Sequence, residues 1–320
     1  MIGKPYSGKL NVRFDEGELE IGLLPLRQFS TLPDGRSYFI NSLRSLEDLK
    51  KERLSEDTLL LYDNNIRLHV DKINRRREPK ITLRYFQFLS LLFAEIFLDN
   101  LKNRKIEFLY ELNEFLNNYK QQHDIEIIDE FAEDDLKKLA FWMATGSGKT
   151  LIMHINYHQF FHYKPFNPDN IVLITPNEGL SKQHFEELEK SGVPCKLFGG
   201  GLSGLYGNAT GQGVLVLEIT KLVEEKKGGG VTIPLDVFEG RNLVFVDEGH
   251  KGKMAEEQKW KKLRDKLAEK GFTFEYSATF GQILSEKESR NSERVFKIHC
   301  FRLLLQILLS GRLWQRFFCL

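Results

Sequence analysis

A glycine-rich turn ending in a cation is the first chemistry legible in this chain. Ala144-Thr145-Gly146-Ser147-Gly148-Lys149-Thr150 follows a short apolar run, Leu139–Met143, and opens a stretch of helical spacing through Phe161. Glycines let backbone N–H groups turn inward as an anion nest, and the helix N-terminus behind them adds partial positive charge. Lys149 then reaches the β- and γ-phosphates of a nucleotide, while the Thr150 hydroxyl can ligate Mg²⁺. Thr145, Gly146, Ser147 and Gly148 complete the cradle, so ATP and Mg²⁺ are the expected cofactors. The strict pattern has glycine at its first position, where this chain has Met143. A side chain there need not touch phosphate. An unliganded glycine turn would explain the strand and helix, but not Gly-Lys-Thr at the helix start.

The second element is a strand-like run, Leu243–Val246, ending in Asp247-Glu248-Gly249-His250. A carboxylate at that strand end is expected beside the phosphate loop, where Asp247 can hold the Mg²⁺ hydration shell. Glu248 is then placed to orient or deprotonate the attacking water. His250 is expected to relay between the nucleotide site and the next motif rather than bind metal, since no second histidine is suitably spaced. That motif is Ser277-Ala278-Thr279, behind the run Phe272–Tyr276. Its hydroxyls, Ser277 and Thr279, could hydrogen-bond to the acidic motif and report whether γ-phosphate is present. Alone such a tripeptide means little; in register behind the other two it is informative.

These motifs need elements to position them. From about residue 138 the chain alternates apolar runs with helical spacing: Ile171–Thr175, then Leu180–Lys190, Val214–Ile219, and a charged helix over Ala255–Lys270. Apolar strands alternating with helices imply an α/β fold, a parallel sheet covered on both faces. Gly199–Gly213 and Lys226–Gly230 read as surface loops. Upstream, Leu83, Phe86, Leu89, Leu92, Phe93, Ile96 and Phe97 recur at helical spacing, as do Phe108, Leu112, Phe115 and Leu116, which predicts two amphipathic helices between Ile81 and Tyr119. Residues 1 to about 80 alternate short apolar runs with turn signals such as Leu32-Pro33-Asp34-Gly35. The basic run Arg75-Arg76-Arg77 reads as a solvated loop.

Composition narrows the class. Among 320 residues, 46 are Lys or Arg and 45 are Asp or Glu, which argues against a histone-like general polyanion binder yet leaves room for a local basic groove. Cys195, Cys300 and Cys319 have neither zinc spacing nor the pattern of a disulfide framework. The N-terminus lacks the apolar core of a signal peptide, and runs such as Phe88–Leu98 are too short to span a bilayer. A cytoplasmic protein with no membrane partner is expected.

The ordered set ATGSGKT, ITPNEGLSKQH, VFVDEGHKG and EYSATF resembles superfamily 2 DEAD/DEAH-like helicase ATPases, and the spelling is most similar to ATPase subunits of type III restriction enzymes. The resemblance covers about residues 139–281 and implies a RecA-like P-loop lobe with a parallel, doubly wound sheet. It implies ATP hydrolysis coupled to DNA, with a DNA methyltransferase (modification) subunit as a further partner. In the family, the segment matching Thr175, Pro176, Asn177 and Gln183 touches the nucleic-acid backbone. That role carries to Thr175 and Asn177, with helix capping as the competing reading. An upstream glutamine often reads adenine, and Gln87 is the candidate, with a plain surface helix position as the alternative. The expected organisation is a mixed region over 1–80, a helical segment over 81–130, the RecA-like lobe over 131–285 and a non-native or disordered tail over 286–320.

That tail departs from the resemblance. Residues 301–320 read FRLLLQILLSGRLWQRFFCL. Permitted codons for residues 301–319, read from the second base, encode FDYSYKYFYQDGYGKDFF, which is similar to a tyrosine-rich segment of this family just beyond its Ser-Ala-Thr motif. The expectation is a frameshift, a missing second RecA-like lobe and impaired hydrolysis. A reading of a different class is a non-catalytic remnant that binds DNA or a modification subunit through residues 1–130.

Overall fold

Strands apolar on both faces can be buried only between two layers of helix, and that requirement shapes the molecule. A computed structural model describes residues 55–123, 129–199, 213–224, 232–247 and 254–278. The N-terminal expectation below residue 55, most of both glycine-rich loops and the tail over 286–320 lie outside the described residues.

Among the described residues three helices come first: α1 (Glu56–Asn74), α2 (Tyr85–Asn103) and α3 (Lys105–His123). The last two answer the periodicity seen between Ile81 and Tyr119. The first corrects the reading of residues 56–74 as short runs and turns. Ser55 caps it, its side chain accepting the Thr58 N–H at 3.1 Å, and Glu56 and Asp57 sit in the positive first turn. Leu59, Tyr62, Ile66, His69 and Ile73 form the buried face, but Asp63 and Asn65 are buried too. Polar residues thus share the buried face with the apolar ones.

The remaining elements are β1 (Lys138–Trp142), α4 (Lys149–Tyr163), β2 (Asn170–Thr175), α5 (Glu178–Lys190), β3 (Cys195–Leu197), β4 (Val214–Glu218), β5 (Leu222–Val223), β6 (Ile233–Pro234), β7 (Asn242–Asp247), α6 (Met254–Ala268) and β8 (Phe272–Ser277). Among the described residues the main sheet has six strands in the order β1-β8-β7-β2-β4-β3, with every pairing parallel. β5 and β6 pair with each other apart from it. This is the α/β, RecA-like arrangement expected.

Alternation along the strands divides the core. Leu243 and Phe245 of β7 join Ile152 and Phe160 of α4 in one buried cluster, while Val244 and Val246 join Leu263 and Leu267 of α6 in the other. Asp247 shares the parity of Leu243 and Phe245, so its carboxylate faces the α4–α5 side. The first cluster continues through α1 and α2, so the N-terminal helices and the sheet share one core.

A buried polar chain fixes that union. Tyr276 Oη donates to Asn156 Oδ1 at 2.7 Å, Asn156 Nδ2 to Gln159 Oε1 at 2.7 Å, and Gln159 Nε2 to Glu95 Oε1 at 2.8 Å. Glu95 Oε2 accepts from Tyr163 Oη at 2.5 Å. Buried polar groups tolerate little sliding, because each lost partner leaves an unpaired group in low dielectric. The chain therefore sets the position of α2 on α4 and of α4 on β8. Among the described residues, no helix is long and apolar enough to cross a membrane.

Candidate nucleotide site

The site forms where β1, β8 and β7 end side by side. As the chain leaves β1, the Met143 N–H donates to the Ser277 carbonyl at 3.0 Å, which fastens the start of the glycine loop to the end of β8. The loop then doubles back. Ser147 N and Ser147 Oγ both donate to the Ala144 carbonyl, at 3.2 and 2.6 Å. Gly146 and Gly148 take φ values of +79° and +88°, the left-handed region where a Cβ is strained. As N-cap of α4, Gly148 supplies no side-chain acceptor, the arrangement that helix N-termini use to receive anions.

Thr145 and Gly146 are exposed at the loop tip, while Lys149 and Thr150 are half-buried as the first residues of α4. Lys149 Nζ lies 3.5 Å from the Met143 carbonyl, at the outer limit of a hydrogen bond. The ammonium is thus folded back across the loop it would serve.

Gln87, 60 positions before Ser147, is buried and in contact with the loop rather than on a surface helix face. Its Nε2 donates to the Ser147 carbonyl at 2.8 Å, and its Oε1 accepts the Arg84 N–H at 2.9 Å. A Cβ at Gly148 would come within 2.5 Å of that same Nε2. The carboxamide braces the nest from behind.

Asp247 ends β7 and is 7% exposed. The acidic strand does not pair with β1. Instead β8 intervenes, with Trp142 opposite Ser277 and Asp247 opposite Tyr276. Two interstrand spacings separate the tips by roughly 9–10 Å. Burial pushes the Tyr276 hydroxyl well above its usual range, with the Asp247 charge adding to the shift, so the ring stays a neutral donor.

One side chain on Asp247 was not singled out from sequence. His184 of α5 is 3% exposed, and its Nε2 lies 2.9 Å from Asp247 Oδ2. A signal existed: Ser181, His184 and Leu188 form the buried line of α5, so the histidine occupies a core position.

The other candidates divide. Thr175 is 1% exposed, its hydroxyl 2.6 Å from Ser181 Oγ and 3.1 Å from the Asn177 carbonyl. Asn177 Oδ1 caps α5 by accepting the Leu180 N–H at 2.9 Å. Both side chains shape the loop after β2. Ser277 is fully buried, and its carbonyl holds Met143. Glu248, His250 and Thr279 lie outside the described residues. Arg77, read as part of a solvated run, instead binds the C-terminal end of α5 through Glu187 and Ser191. Among the described residues no group of His, Cys, Asp and Glu side chains is arranged to hold a metal by itself. Mg²⁺ suits such a site, since it keeps several waters and shares its shell with phosphates. The donors that fit it are hard oxygens, the buried Asp247 carboxylate and the Thr150 hydroxyl.

Residues 114–282 match the family described as type III restriction enzyme, res subunit. Among solved structures, the chain is similar to the UvsW helicase from bacteriophage T4, with 16% sequence identity and a TM-score of 0.33. That similarity covers 47% of this chain and 49% of the helicase, so the chain spans about half of its length. No curated protein matches the chain.

Proposed function

Because the chain belongs to the type III restriction enzyme res subunit family, we propose that it forms the ATP-binding side of an ATP-dependent DNA translocase or helicase subunit. The observation that carries this reading is the alignment of the glycine loop, the end of β8 and Asp247 along one sheet edge. In this reading the triphosphate lies across the N-terminus of α4. Backbone N–H groups of Gly146, Gly148, Lys149 and Thr150 receive the phosphates, and Lys149 swings from the Met143 carbonyl to neutralise charge on the β–γ bridge. Thr150 and Asp247 are the donors that would hold Mg²⁺, which when bound withdraws charge from the phosphate oxygens. Glu248 would orient the attacking water, with His250, Ser277 and Thr279 passing the state of the site onward. Gln87 would act by holding the loop open to the nucleotide, and its remaining amide proton could still meet the adenine.

DNA is the proposed second ligand, met at the loop that Asn177 opens before α5, where helix N–H groups favour a backbone phosphate. A DNA methyltransferase (modification) subunit is the proposed protein partner, on family grounds alone.

Titration with a fluorescent ATP analogue tests the nucleotide reading. Lys149→Ala should weaken binding by at least tenfold while leaving the melting temperature close to that of the parent. Equal affinity in the two proteins would remove Lys149 from the site and the proposal with it.

A further inference from the structure

We infer that His184 is a positioning residue for the metal carboxylate: its imidazole holds Asp247 by one oxygen and so presents the other to the cation. This rests on the nucleotide-site reading above and deepens it. The geometry is specific. His184 Nε2 and Asp247 Oδ2 are 2.9 Å apart, with both residues buried. A proton on Nε2 makes a hydrogen bond there, whereas a lone pair would face the carboxylate's own, so Nε2–H is the donor. With Oδ2 engaged, Oδ1 is the oxygen left for a cation's ligand shell.

Packing alone does not explain a histidine at this place. His184 lies between Ser181 and Leu188 on the buried line of α5, where an aliphatic side chain would fill the space without polar cost. Its Nδ1 is buried and finds no hydrogen-bond partner among the described residues.

The helix that carries it is pinned at both ends. At the start, Asn177 caps the first turn, and Ser181 Oγ is 2.6 Å from Thr175 Oγ1. At the end, Arg77 donates from Nη2 to Glu187 Oε2 and the Glu187 carbonyl, at 2.7 and 3.0 Å, and from Nε to Ser191 Oγ at 2.9 Å. A donor on so fixed a helix restricts the carboxylate's rotation, which is what a metal ligand needs from its supporting shell. The same contact links α5, the helix behind the proposed DNA loop, to the acidic end of β7.

The test is the Mg²⁺ dependence of nucleotide affinity in the whole chain, read as binding of a fluorescent ATP analogue in excess Mg²⁺ and again in EDTA. His184→Ala and His184→Leu remove the donor, the second while filling the space, so it carries the test if the first fails to fold. Both should keep the metal-free affinity and lose about tenfold of the gain that Mg²⁺ confers. His184→Gln, whose Nε2–H can reach the same oxygen, should restore the gain to within about threefold. An unchanged Mg²⁺ gain in the Leu variant overturns the inference. A parallel loss with and without metal, or no rescue by Gln, also overturns it, because each assigns His184 to packing alone. If the parent and Lys149→Ala bind alike, the nucleotide-site reading itself fails and this inference falls with it.

Discussion

The Gln87 carboxamide donates to the Ser147 carbonyl at 2.8 Å, so a residue 60 positions upstream supports the turn between two left-handed glycines. Its other end accepts the Arg84 N–H at 2.9 Å, which fixes the first turn of α2 in the same contact. Gln87→Ala leaves the Ser147 carbonyl without this donor and should cost about 1–2 kcal/mol. Nucleotide affinity should fall several-fold, because the nest is no longer held in shape before the phosphate arrives. Urea unfolding and nucleotide titration on the same variant check the two effects; full affinity alongside lost stability would limit Gln87 to a structural brace.

Gly148→Ala meets two penalties. The φ of +88° costs about 1–2 kcal/mol for an L side chain, and the new Cβ lies 2.5 Å from Gln87 Nε2. Gly146→Ala has a φ of +79° with nothing within 4 Å, so it carries only the backbone penalty. The two variants should therefore separate in melting temperature. Adding Gln87→Ala should recover part of the loss at Gly148 and none at Gly146, a coupling that a double-mutant cycle measures.

The buried cluster between α1, α2 and α4 should make stability depend on pH in two opposing ways. Burial, with the Lys72 charge behind it, lowers His69 from 6.5 to about 3 and His158 from 6.5 to about 4. Below about 6.5 the unfolded chain takes up protons that the folded chain refuses, so stability falls as the medium is acidified. Glu95 has the opposite sign. Burial raises it from 4.5 to about 7, against hydrogen bonds from Tyr163, Gln159 and Asn65, so its share of stability is complete below about 4.5 and is lost as pH rises through about 7. Urea unfolding at about pH 5 and pH 7 should show His69→Gln removing acid sensitivity on the order of 1.4 kcal/mol per pH unit, and Glu95→Gln increasing it. The same change of slope in both variants would refute the assignment.

Arg77→Ala should loosen α5. The side chain is 16% exposed and makes three hydrogen bonds to α5 and its C-cap, one to a carboxylate at 2.7 Å. Loss of about 2 kcal/mol is expected, with faster hydrogen exchange in the last turn of α5. An unaltered exchange pattern would return Arg77 to the solvated loop that its sequence suggests.

Much of this organisation is legible in the chain itself, and the exceptions have physical causes. The runs at Ile171 and Leu243 read as strands because burial on both faces makes them continuously apolar, and Phe272, Phe274 and Tyr276 mark the third by alternation; the observed strands begin and end within two residues of those limits. Helix α1 was missed because Asp63, Asn65 and His69 occupy its buried face. β3 has three residues, too few to show a period. His184 was passed over because a buried polar residue on a short helix carries no local mark of its partner.

Sequence by itself determined the glycine loop and the acidic strand end, since each depends on residues adjacent along the chain and on one local conformation. Tertiary structure alone decided that β8 stands between β1 and β7, that Gln87 closes behind Ser147 and that His184 holds Asp247. Strand order and helix docking follow from how whole apolar faces cover one another. Such contacts join residues tens of positions apart, and no local pattern records which faces will meet.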